Sequence, residues 1–326
     1  MKLPGVRLAV LVALGCGCGI TVVGALDPDR DGGTLDGGSE AGASLPEGGP
    51  ALDAMPEDSG STIIDIVPLD ASFDASPANC EAGCDGGVCD GGWCTFKCGA
   101  TECLNAPVVC PPGIPCAVLC NADGSCNKGV DCRGATACDV RCVGAGTCVN
   151  EAVACSGSAC SVRCKGDNTC NKGVVCDAGS CAIGCTGQNA CANEAVACTS
   201  NTCQVVCGDG MGNGDNACNK GVVCHASTSC DITCQDQGTC ANEQTTAVAG
   251  TSAVIRCTGS GSCNKGLLTS ALVGTALCRN SSCGPGISCD GGTCVARCDG
   301  TDVDVCCKAG SCVKQTNNCT LPNSCP

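Results

Sequence analysis

Three kinds of side chain in this sequence could do chemistry. The first is sulfur, with 44 Cys in 326 residues. Paired, these are cross-links; as thiolates at short spacing they hold soft metals. The second is carboxylate. "DGMGNGD" at 209–215 sets Asp209, Asn213 and Asp215 in a glycine-rich loop, the oxygen ligands that Ca²⁺ takes. "DPDRDG" at 27–32 has a similar look, but neither stretch has an acidic residue at loop position 12. Asp131, Asp139 and Asp231 are further outward carboxylates, without the clustered bases that catalysis on an outer face needs. The third is the single His, His225, directly after Cys224. No G-x-S-x-G, Walker loop or dinucleotide fingerprint accompanies it. The expectation is a non-enzymatic protein with no cofactor.

Spacing decides how the sulfur is used. C-x-x-C is absent, C-x-C occurs only at Cys16-Gly-Cys18, and the recurrent spacings are x3 to x6. That pattern speaks for disulfides and against metal storage, and so for an oxidising compartment. One Trp, two Phe and no Tyr leave too little bulk for an ordinary core, so cross-links must replace it. The N-terminus agrees with export. Lys2 and Arg7 precede an uncharged stretch from Leu8 to Leu26. "ALGC" at 13–16 resembles a bacterial lipobox, which implies a diacylglyceryl group on Cys16 and a membrane partner. Cleavage after Ala25, or an uncleaved anchor, are the other routes.

Residues 27–79 are a different material. Twelve acids stand against Arg30 alone, among Gly, Ser and Pro. Such a segment buries too little apolar surface to order itself and acts as a self-repelling spacer. It carries −11 of the net −15; from Cys80 onward 20 acids meet 14 bases, leaving −6. Nucleic acid is excluded as a partner on this balance.

From residue 80 the chain repeats. Asn105, Asn127, Asn150, Asn171, Asn193, Asn219, Asn242 and Asn264 follow at gaps of 22, 23, 21, 22, 26, 23 and 22. A fixed period of this size is the mark of a solenoid. One turn reads Cys138-x3-Cys142-x5-Cys148-x6-Cys155. "CDVRC" alternates, with Cys138, Val140 and Cys142 on one face, as a half-buried strand does. "NEAVAC" and "NKGVVC" supply a second short strand, and Gly, Ser, Asn and Thr fill the corners. Two strands and two corners make one coil of a parallel β-helix. The reading is all-β: about nine coils over 80–297, roughly 45 Å long, then a Cys-rich cap over 298–326. A tandem array of EGF-like modules is the alternative, but those carry a central C-x-C that 80–326 lacks.

Stacked once per coil, the Asn side chains would bond one another at roughly 4.8 Å. This resembles the Asn ladders of right-handed parallel β-helix proteins such as the pectate lyases, over residues 94–294 and for architecture only. After each Asn comes Lys128, Glu151, Lys172, Glu194, Lys220, Glu243 or Lys265, a ladder of opposite charges that makes the true unit two coils.

The damaged coils suggest the pairing. Where a fourth Cys is lost (Ala247, Thr269), the next first Cys is lost too (Ala253, Gly274). Fourth therefore pairs with next first: Cys132–Cys138, Cys155–Cys160, Cys176–Cys181. Second and third close the other corner: Cys142–Cys148, Cys164–Cys170, Cys185–Cys191. Two Cys at i and i+4 of a strand lie roughly 13 Å apart, beyond the ~7 Å reach of a disulfide. Cys84–Cys89 and Cys80–Cys94 would nest at the front. Cys298, Cys306, Cys307, Cys312, Cys319 and Cys325 are left for the cap in no fixed order.

Thr147, Thr169 and Thr239 precede a third Cys, but Ala190 and Ala217 interrupt them, which argues against an ice-binding array. Trp93, Phe73 and Phe96 are too few to tile a sugar-binding surface. The whole chain resembles, in composition, the Cys-rich surface lipoproteins of some soil bacteria. That implies a rigid rod on an acidic tether, displayed to an unknown extracellular partner, or a Ca²⁺-dependent binding module using loop 208–215.

Overall fold

A computed structural model describes residue 80 and residues 83–299, 303–308, 310–315 and 319–320. The stretch read as a leader with Cys16, residues 27–79 read as a spacer, and Cys325 lie outside the described residues. The rest is a parallel β-solenoid of about 10 coils, without an α-helix among the described residues. Strand Val153–Cys164 pairs with Val174–Cys185, that with Val196–Cys207, and that with Val222–Cys234, all in parallel. In these middle coils the two short strands expected per coil run on as one bent strand. The bend itself keeps pairing, Ser156 with Asp177 and Gly157 with Ala178, because small residues leave its backbone open to the coil above.

Each position of the repeat becomes a column through the interior. Val140, Val162, Ile183, Val205, Ile232 and Ile255 form one aliphatic column, and Val130, Val153, Val174, Val196 and Val222 another, all at most 2% exposed. Cystines form two more. Fourth-to-first bridges include Cys110–Cys116, Cys132–Cys138, Cys155–Cys160, Cys176–Cys181, Cys198–Cys203, Cys224–Cys230 and Cys289–Cys294. Second-to-third bridges include Cys98–Cys103, Cys120–Cys126, Cys142–Cys148, Cys164–Cys170, Cys185–Cys191, Cys207–Cys218, Cys234–Cys240, Cys257–Cys263 and Cys278–Cys283. Where the first column lapses, the register does not: Cys224 aligns with Ala247, Thr269 and Cys289, and Cys230 with Ala253, Gly274 and Cys294.

A fifth column is polar. Ser125, Thr147, Thr169, Thr239 and Ser262 are fully buried. Each hydroxyl donates to the carbonyl three residues back, as Thr169 Oγ1 does to Gly166 O at 2.8 Å. These Thr brace a turn from inside and present nothing to ice. The third Cys that follows adopts a left-handed backbone in nine coils, from Cys103 (φ 54°) to Cys283 (φ 67°). A side chain there costs roughly 1–2 kcal/mol, and the bridge to the second Cys holds it in place.

Two features differ from expectation at the ends. The front cystines are Cys80–Cys89 and Cys84–Cys94, not Cys84–Cys89 and Cys80–Cys94. Strands Val88–Asp90 and Trp93–Cys98 form an antiparallel hairpin that sets Cys89 and Cys94 side by side, each within reach of one of Cys80 and Cys84. At the far end the coil pattern continues, Cys294 aligning with Cys312 and Cys307 bridging to Cys312. Cys298 bonds Cys319 there, and Cys306 is also disulfide-bonded.

The Asn column lies on an exposed or half-exposed corner. Asn150 Nδ2 donates to Asn127 Oδ1 at 2.6 Å. Elsewhere the main chain carries the stack: Asn150 N–H to Asn127 O, Asn193 to Asn171, Asn242 to Asn219. The Lys and Glu that follow are all exposed, and among the described residues none forms an ion pair with another. Alternation therefore serves by keeping like charges two coils, roughly 10 Å, apart. The two-coil unit has a steric cause as well. Lys corners close tightly, Gly173 N–H bonding Cys170 O at 2.8 Å with Gly173 at φ 77°. Glu corners are one residue longer, and the Ala195 carbonyl lies 2.6 Å from where a Cβ on Gly173 would stand.

Removing the Cys164–Cys170 bridge tests the left-handed corner. Cys164→Ala with Cys170→Gly should keep Cys170-site and Gly173 amides about 5-fold better protected in hydrogen exchange than Cys164→Ala with Cys170→Ala. That follows from a difference of about 1 kcal/mol. Equal protection would show that the corner is not strained.

Candidate functional site

The solenoid departs from its period at one long gap, residues 208–215. Other second-to-third bridges join Cys six residues apart or fewer, whereas Cys207 and Cys218 are 11 apart. The reason lies in the next coil. Two residues after the second Cys, four coils have Gly (144, 166, 187, 259); this one has Asp236. Its side chain is buried, the residue being 5% exposed. A buried carboxylate needs donors, and the inserted loop supplies them. Asp236 Oδ2 accepts Asp209 N–H at 2.7 Å and Gly214 N–H at 3.0 Å, and Oδ1 accepts Gly212 N–H at 3.1 Å. Gly214 is required there, since a Cβ would stand 2.3 Å from Gly208 Cα and 2.6 Å from Asp236 Oδ2.

The loop also closes on itself. Asp209 Oδ1 accepts the N–H groups of Met211 (2.8 Å) and Asn213 (3.2 Å), and Oδ2 accepts Asn213 Nδ2 (2.8 Å). Burial pushes the Asp209 carboxyl up, but these bonds, led by the Asn213 side chain, outweigh it and hold it below its ordinary value. Of the three Ca²⁺ candidates, then, Asp209 and Asn213 meet. The Asp215 carboxylate makes no hydrogen bond or ion pair among the described residues. The oxygens of Asp209 and Asp236 face N–H donors.

Beside the loop lies a cleft of about 440 Å³, within the range of small-ligand sites. Lys165 and Thr186 from two coils, buried Val206, and Gln235 form one side; Asp209 and Met211 of the loop form the other. The side chains of Lys165, Thr186 and Gln235 make no hydrogen bond to another described residue. Met211, 59% exposed, stands at the rim. The cleft thus offers one cation, the two carboxylates of Asp167 and Asp209, free hydroxyl and amide groups, and an apolar wall. No known family model, curated protein or solved structure matches this chain. Its function must therefore be argued from this geometry.

The remaining candidates stay apart. Asp131 bonds Arg133 (2.7 Å), Asp139 bonds Arg141 (2.7 Å) and Asp231 bonds Arg256. Asp139 and Asp231 share a column four coils apart, roughly 19 Å, while Asp131 is on the other strand. The Arg133 side chain holds the Asp131 carboxyl below its ordinary value. His225 is exposed on the bend. The role of Asp236 escaped sequence reasoning, although its place in a column of glycines was a usable signal.

Asp236→Ala should strip protection from the amides of Asp209, Gly212 and Gly214 by 10-fold or more and open loop 208–215 to protease. Losing a buried acceptor costs about 1–3 kcal/mol. Unchanged exchange would show that the loop folds independently of Asp236. The pH dependence has a definite sign. Because the Asp209 value is depressed in the fold, its contribution is complete above the unfolded value of about 3.9. It is lost as pH falls through the lower folded value. The loop should stay closed from pH 8 to 5 and open only below about pH 4, read from the same amides.

Proposed function

We propose that this is an exported, non-enzymatic surface protein, held to a membrane through lipid on Cys16. The acidic spacer 27–79 sets the solenoid away from that surface, and the cleft beside loop 208–215 is where it engages an extracellular partner. The observation that carries the reading is the interior itself. Two columns of cystines stand where other domains keep large aliphatic and aromatic side chains. Such an interior can be assembled only where disulfides persist. The carboxylates with displaced values, Asp131 and Asp209, are both lowered by donors, the reverse of what a general acid requires. A rigid body with one shaped cleft suits display and recognition.

Four measurements test this on the full chain made with its own leader. Intact mass should show a diacylglyceryl adduct at Cys16, and Cys16→Ser should release the protein from the membrane fraction. Trypsin should leave the solenoid whole until reductant is added, despite its exposed Lys. Recovery of a cytoplasmic protein with free thiols would overturn the proposal. Calorimetry with Ca²⁺ should give no heat; binding near one ion per chain would instead assign loop 208–215 to a Ca²⁺-dependent module.

A further inference from the structure

The second-to-third cystines are stacked closely enough to react with one another. Cys148 Sγ, of a third Cys, lies 3.8 Å from Sγ of Cys120, the second Cys of the preceding coil. The sulfurs of Cys98, Cys103 and Cys126 lie within 4.8 Å of each other. So do those of Cys120, Cys126 and Cys148, of Cys142, Cys164 and Cys170, and of Cys164, Cys185 and Cys191. These contacts join five successive bridges into one run of sulfur. All of its members are fully buried except Cys103 at the N-terminal end, which is half-buried. The register of this column is continuous from Cys98 to Cys298. The fourth-to-first column also has sulfurs in contact, Cys110 Sγ lying 3.1 Å from Cys132 Sγ, but it is broken at Ala247/Ala253 and Thr269/Gly274.

We propose that the second-to-third column is a thiol–disulfide exchange relay, along which a single thiol migrates from coil to coil. An external low-molecular-weight thiolate attacks Cys103 Sγ, forms a mixed disulfide there and expels Cys98 as thiolate. Cys98 attacks Cys126, forming Cys98–Cys126 and releasing Cys120. Cys120 attacks Cys148, forming Cys120–Cys148 and releasing Cys142. Cys142 then attacks Cys170, forming Cys142–Cys170 and releasing Cys164, which faces Cys185 and Cys191. Each step makes one S–S bond and breaks one, so no oxidant or reductant is consumed inside the protein. The proton of the incoming thiol ends on the last sulfur released. Every second Cys becomes bonded to the third Cys of the next coil, so the staples that closed coils now tie neighbouring coils together. Contact between the sulfurs supplies the proximity that exchange needs. Burial slows each step by disfavouring the thiolate. Run in reverse, the relay carries a reduced site from the interior to Cys103, the one position in this run that solvent reaches.

The test is the full-length variant Cys103→Ser, which leaves Cys98 without its partner. The oxidised protein is incubated at pH 8.5 without added thiol or oxidant, quenched in acid, alkylated and peptide-mapped. The label should spread with time from Cys98 to Cys120, Cys142 and Cys164, with Cys98–Cys126 and Cys120–Cys148 appearing in step. Migration should slow about 10-fold per pH unit of acidification below the thiol's own value. A label that stays on Cys98 overturns the relay. So does a label appearing equally fast in the fourth-to-first column, which would be general scrambling. Should Cys103→Ser fail to fold, Cys98→Ser leaves Cys103 in the same sulfur cluster and decides by the same readout.

Discussion

Closing the bends of most coils with covalent bonds is the constraint on which the remainder rests. A parallel solenoid must turn its chain sharply twice in about 22 residues, and each turn forces backbone into left-handed or tightly packed geometry. In larger solenoids a wide aliphatic interior offsets that cost. Here one Val, Ile or Leu per strand is all the coil encloses, so the bridge must hold the bend. The same bond that closes the corner keeps the third Cys in its left-handed state, and the buried Ser or Thr beside it satisfies the turn's carbonyl. Corner geometry, interior packing and oxidising chemistry are thus one requirement.

Much of this was legible in the sequence because it repeats. Period, strand alternation and corner composition recur often enough that each confirms the next. Paired losses at Ala247/Ala253 and Thr269/Gly274 carried information about which sulfurs meet, since a Cys with a lost partner has no reason to persist. The front pair lacked such a control. Cys80, Cys84, Cys89 and Cys94 occur once, several pairings satisfy their spacing, and only the hairpin decides between them.

A column of like residues announces that something stacks, but not whether it points in or out. The Thr before the third Cys, too irregular for an ice-binding array, are buried, while the Asn lie on an open corner where one side-chain bond and the main chain carry the stack. Asp236 was hidden for another reason. Its partners are backbone N–H groups 22 to 27 residues earlier, and backbone donors have no signature in a list of side chains.

The Cys207–Cys218 bridge has a wider consequence. The same sulfur-to-sulfur span that elsewhere brackets a short turn here brackets one five residues longer than that of Cys234–Cys240, and the coils on either side keep their register. The corner between second and third Cys is therefore a socket: its two walls are welded, and what is threaded between them does not disturb the stack. A solenoid built this way is a rack in which foreign segments could be exchanged one coil at a time, each anchored by one buried side chain from the coil above, as Asp236 anchors this loop.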